Sequence, residues 1–120
     1  MLRLLVLLLL AGCSTATRPV VDVIVVEGCP GRQDTIDLVE SVAHELGITI
    51  QLQQTLVDTP EEAVRTRLLG SPTVLVNGFD IEPAARNRTD FTISCRIYSG
   101  TPVPSRAMVV RALTEAVGKR

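Results

Sequence analysis

Hydrophobic positions fall along this chain in short blocks, and the spacing within each block predicts an element. Val20, Val21, Val23, Ile24, Val25 and Val26 form a β-branched run broken only by Asp22, the pattern of a central strand covered on both faces. A period near 3.6 then takes over. Ile36, Val39, Ala43 and Leu46, widened by Leu38 and Val42, predict a helix from about Arg32 to Leu46, with Asp34, Asp37, Glu40, His44 and Glu45 on its wet side and Gly47 as its stop. Ile48 to Gln53 alternates with period two. A second strand with one wet face is expected there, parallel to the first and joined to it as a right-handed βαβ unit.

Thr59-Pro60-Glu61-Glu62 opens a second helix with a threonine N-cap, a proline at the first position and a capping-box glutamate. It is expected to run to about Leu69, burying Val64 and Leu68 and stopping at Gly70. Pro72 cannot donate to a sheet, so it marks the entry to the strand Thr73 to Val76, and Asn77-Gly78 supplies a tight turn after it. Asp80 to Asp90 is polar and reads as a loop over or near a site. Phe91 to Tyr98 is the predicted last strand, antiparallel to its predecessor, with Phe91, Ile93, Cys95 and Ile97 on one apolar face. After Pro102-Val103-Pro104, Ser105 caps a closing helix whose stripe is Val109, Ala112, Leu113, Ala116 and Val117.

At 120 residues and 46% hydrophobic content, the chain is one domain with material for a single core. Phe79, Phe91 and Tyr98 are its only aromatics, so that core is aliphatic. A net charge of −1 with dispersed basic residues gives no footprint for nucleic acid, and there is no aromatic stacking platform.

The N-terminus reads as an address. Met1-Leu2-Arg3, an apolar run from Leu4 to Leu10, and Leu10-Ala11-Gly12-Cys13 resemble the signal and lipobox of bacterial lipoproteins, too short to span a bilayer. The resemblance implies a signal peptide at residues 1–12, a lipid on Cys13, a small polar tether at 13–19 and a domain at 20–120. It also implies a membrane-anchored location in the cell envelope, facing outward from the cytoplasmic membrane. The alternative is a start site misassigned upstream of a cytoplasmic protein. Asn87-Arg88-Thr89 matches a glycosylation sequon, read here as chance.

The candidate chemistry is that of thiols. Cys29 falls between the first strand and the first helix, where unpaired N–H groups and the helix dipole favour the thiolate, the reactive form. Arg32, three residues on, is expected to add positive charge. With Cys13 lipidated, Cys29 and Cys95 are the two thiols left. Each also has a plain reading as a small buried hydrophobe. His44, the only histidine, lies roughly 16 Å down the helix from Cys29 and is read as a surface residue.

A strand-Cys-Pro-helix start and a Ser-Pro-Thr-Val strand after the second helix resemble the thioredoxin fold. Gly28-Cys29-Pro30, Gly70 to Val74, Asn77-Gly78, and Ser94-Cys95-Arg96 with Tyr98 resemble more closely a family of small thioredoxin-like proteins, some of which carry an alkylmercury (organomercurial) lyase label. The resemblance implies an α/β domain with a central mixed four-stranded sheet (βαβ, α, ββ, α) flanked by helices, and a cis Pro72 beside Cys29. Arg32 stands where a dithiol thioredoxin has its second cysteine, which puts ordinary disulfide transfer by that motif in doubt.

The expected function is thiol redox chemistry without a cofactor. Cys29 would attack, Pro72 would shape the site, Arg32 would stabilise the anion and Cys95 would resolve, acting on a thiol or disulfide substrate or a redox partner protein. Two alternatives stand beside it. One is a soft-metal module using Cys29 and Cys95 for mercury or copper; the other is a non-catalytic envelope domain.

Overall fold

The computed structural model describes residues 18–118; the signal segment and Cys13 lie outside them. The valine run becomes β1 (Val20–Val25), one of the two inner strands of a four-stranded sheet. Val21, Val23, Ile24 and Val25 are fully buried. Alternation along β1 sends Val21, Val23 and Val25 to one core and Ile24 to another, so the strand is covered on both faces as its composition demands.

On the first face lie α1 (Arg32–Leu46) and α3 (Arg106–Gly118), through Ile36, Val39 and Val42 and through Val109, Ala112 and Leu113. An ion pair from Arg106 to Glu45 ties these two helices at their exposed ends. Ser105 caps α3 as its sequence suggests, its Oγ accepting from the Met108 N–H at 3.1 Å. The second face is covered by α2 (Pro60–Thr66), which meets Ile24 and Leu75 through Ala63, with Val57 and Leu68 filling between. The Thr59 Oγ1 accepts from the Glu62 N–H at 3.1 Å, the expected N-cap. No helix among the described residues is long and apolar enough to cross a membrane.

The element boundaries differ from the expected ones in three places. The second strand, β2, runs over Gln51–Leu56, starting three residues later than the alternation at Ile48 indicates. Ile48 still belongs to the helix exit, its N–H donating to Ala43, and pairing begins at Val20 with Gln51. As an edge strand β2 exposes most of its side chains, which explains its glutamines. The second helix stops at Thr66, where Arg67 turns left-handed (φ 66°). Val64, expected inside, is 59% exposed, whereas Ala63 and Leu68 are buried.

The third difference concerns sheet topology. Strand β3 (Leu69–Ser71) precedes Pro72 and β4 (Thr73–Val76) follows it. Asn77 and Gly78, both at positive φ, make the tight turn and send Phe79–Asp80 straight back on β4 as β5. That two-residue strand takes the sheet edge expected for Phe91 to Tyr98. The main sheet is therefore ordered β2-β1-β4-β5, with β2 parallel and β4 antiparallel to β1. The later segment forms β6 (Thr92–Cys95), which pairs in parallel with β3 as a separate two-stranded sheet. The described residues form a mixed α/β domain with a four-stranded mixed sheet and three α-helices.

Candidate functional site

Three segments meet at the C-terminal end of β1. The first is the loop from Val26 to Gly31, which turns on a hydrogen bond from the Cys29 N–H to the Val26 carbonyl at 3.3 Å and enters α1 on another, from Arg32 N–H to the Cys29 carbonyl at 3.3 Å. Cys29 is half-buried and packs against the principal core. The helix has Gly31 as its N-cap residue, with no side-chain cap. Thr35, in the next turn, has a fully buried Oγ1 with no hydrogen-bond partner among the described residues.

The second segment is Ser71-Pro72, whose peptide bond is cis. The antiparallel register of Ile24 with Thr73 brings Pro72 alongside the end of β1. The Val26 N–H donates to the Ser71 Oγ at 3.0 Å and fastens the cysteine loop to it. The third is Cys95 to Pro102. Cys95 is in register with Ser71, and the Arg96 N–H donates to the Ser71 carbonyl at 3.0 Å. From Tyr98 the chain turns through a short bridge with Thr101 and sets the Pro102 carbonyl against Gly31. A side-chain carbon at Gly31 would lie 2.4 Å from that oxygen, so only glycine fits.

The structure thus brings Cys29, Pro72 and the backbone of Cys95 to one end of the sheet. Arg32 opens α1 just after this loop, and its Nε and Nη2 donate to the Gln54 Oε1 of β2 at 3.1 and 2.8 Å. The Cys95 thiol is exposed, as are Ile93 and Ile97. The face expected to point inward therefore points out, and Arg96 and Tyr98, on either side of Ile97, are each 5% exposed. Cys29 and Cys95 are both free thiols. Cys13, the expected lipid site, lies outside the described residues.

What lies inside is a polar cluster that the alternation pattern does not reveal. Arg96 Nη1 and Nη2 donate to the two Asp80 carboxylate oxygens at 2.7 and 2.9 Å, Nη2 also to Glu82 Oε1 at 2.8 Å, and Nη1 to Thr73 Oγ1 at 3.2 Å. The guanidinium sits 4.5 Å from the centre of the Tyr98 ring. The Tyr98 hydroxyl donates to the Pro72 carbonyl at 2.7 Å. Burial works against the Arg96 charge, but the hydrogen bonds to Asp80 and the neighbouring Tyr98 more than offset it and raise its pKa above the ordinary value. Burial also pushes the Tyr98 phenol up; Arg96 opposes this shift and Asp80 and Glu82 add to it. Tyr98 is therefore a protonated donor throughout the neutral range. The signal available in the sequence was Asp80 and Glu82 in an otherwise loop-like stretch, with an arginine and a tyrosine two apart in the segment expected to be the last strand.

Among the described residues no group of three or more His, Cys, Asp or Glu side chains is arranged to hold a metal ion. Comparison with protein-family models, with curated proteins and with solved structures gives no match to this chain.

Proposed function

We propose that this is a thioredoxin-like thiol redox protein in which Cys29 is the attacking sulfur. The observation that carries the reading is the half-buried Cys29, held in the turn into α1 while the Ser71-Pro72 segment is bonded to the same loop through Val26. The Cys29 thiolate would attack one sulfur of a substrate disulfide. The old S–S bond breaks, its electron pair leaves on the other sulfur as a thiolate that takes up a proton, and a mixed disulfide remains on Cys29. A second thiol, from Cys95 or from a partner protein, then attacks the mixed disulfide, releases the substrate as a thiol and becomes part of the new disulfide. Arg32, bonded to the neutral Gln54 side chain, would keep its positive charge at the start of α1 and favour the thiolate.

The test is thiol trapping in the full chain carrying Cys13→Ser. A disulfide substrate should leave a mixed disulfide on Cys29, Cys29→Ser should abolish turnover, and Cys95→Ser should make the mixed disulfide accumulate if Cys95 resolves. Turnover that survives Cys29→Ser would sink the reading. Uptake of one Hg²⁺ per chain, requiring both thiols and with no redox cycle, would replace it with the soft-metal reading.

We also propose, from the Leu-Ala-Gly-Cys segment, that a lipid on Cys13 holds the domain at the envelope membrane. The native protein should partition into detergent and Cys13→Ala should not. Recovery of native chain, intact from Met1, in the soluble fraction would count against it.

A further inference from the structure

We propose that Tyr98 is a positioning residue for Cys29 chemistry, holding the Pro72 carbonyl and with it the Ser71-Pro72 segment that is bonded to the cysteine loop. The inference rests on the thiol reading of Cys29. Proline has no N–H, so its carbonyl is the only backbone group through which the chain can fix Pro72 by a hydrogen bond, and the Tyr98 hydroxyl takes it at 2.7 Å.

The neighbouring groups are held just as directly. The Gly70 carbonyl accepts from the Thr73 Oγ1 hydroxyl at 2.7 Å, the Ser71 carbonyl accepts from the Arg96 N–H, and the Ser71 Oγ accepts from the Val26 N–H. Arg96, fixed by Asp80, Glu82 and Thr73, forms the plate on which the Tyr98 ring lies. On its other side Tyr98 starts the turn that seats Pro102 on Gly31, two residues after Cys29. One side chain therefore fixes the Pro72 carbonyl while its own backbone begins the brace on the helix that Cys29 enters. A buried ion pair is a poor way to gain stability, because desolvation consumes most of the attraction. It is a good way to fix direction, since a bidentate arginine fork and a stacked ring tolerate little rotation.

Both reactions are in-line displacements, but a bulky aromatic disulfide must also fit against the segments packed around the cysteine loop, whereas the small iodoacetamide makes little demand on them. Loss of the Tyr98 hydroxyl should therefore slow only the former. The experiment uses the full chain with Cys13→Ser and Cys95→Ser, which leaves Cys29 as the sole thiol. Tyr98→Phe, which keeps the ring, should lower the rate constant with the aromatic disulfide 5,5′-dithiobis(2-nitrobenzoate) about tenfold and that with iodoacetamide less than about twofold. Leu113→Val, a core change in α3, should leave the ratio of the two rates unmoved.

A second readout needs no variant at position 98. Because Tyr98 is the only tyrosine, incorporation of 3-fluorotyrosine gives one fluorine resonance, which should move when Cys29 is converted to its mixed disulfide. If the parent protein fails to react with the disulfide, the thiol reading itself falls. If it reacts, and Tyr98→Phe leaves the ratio unchanged or the fluorine resonance stays put on modification, the positioning role is overturned.

Discussion

At Gly31 any side chain would have to displace the Pro102 carbonyl or the start of α1, since its first carbon would come within 2.4 Å of that oxygen. Relieving such a contact against backbone costs about 1–3 kcal/mol. Gly31→Ala should lower stability by that amount in urea unfolding, and an unchanged midpoint would show that the loop before α3 yields freely. The neighbouring residue teaches the opposite lesson about legibility. Arg32 stands three positions after Cys29, and charge alone suggested an anion-stabilising role. What charge did not show is that its guanidinium bonds to Gln54. That contact was hidden because β2 starts three residues later than its alternation suggests, a shift that sets which glutamine reaches the helix start. Cys29 itself was legible, because an apolar strand, Gly-Cys-Pro and a helical period follow one another directly in sequence.

Among the elements, β6 shows most clearly where periodicity misleads. Phe91, Ile93, Cys95 and Ile97 alternate and are apolar, so they mark an inward face by any transfer argument. The strand turns the other way because Arg96 can be neutralised inside by Asp80 and Glu82, partners that lie in β5 and the residues after it and that strand pattern does not connect to it. The strand β5 is two residues long, too short for a period to show. The ion pair that results joins the two sheets. Asp80→Ala would leave Arg96 buried without its bidentate partner and should cost about 3–5 kcal/mol in urea unfolding. Glu82→Ala removes a carboxylate that is 39% exposed and should cost under about 1 kcal/mol. Equal effects of the two substitutions would contradict the burial of the Asp80 pair.

For the whole molecule, the sequence carries what long periods can carry: three helices, the buried central strand, the Pro72 entry and the Asn77-Gly78 turn. It does not carry how four strands of two to four residues divide between two sheets, because pairing at that length is decided by turns and by the buried Arg96 cluster. That cluster gives the domain a pH dependence that can be worked out. Burial raises the Tyr98 pKa above the value of about 10 that it has in the unfolded chain. Below that pH both states hold the proton and the Tyr98 contribution to stability is complete. Above it the unfolded chain gives up the proton while the folded one keeps it, so stability falls as pH rises, by at most roughly 1.4 kcal/mol per pH unit from this group. The chain has one tyrosine and one lysine, so few other groups obscure the effect. Urea midpoints should be lower at about pH 11 than at about pH 9, and Tyr98→Phe should flatten that decline. The near-ultraviolet absorbance of tyrosinate should stay absent in the folded protein at a pH where the urea-unfolded chain is fully ionised. A folded-state titration with its midpoint at the ordinary tyrosine value would mean that the phenol is open to water, and the link between Tyr98, Pro72 and the Arg96 cluster would fail with it.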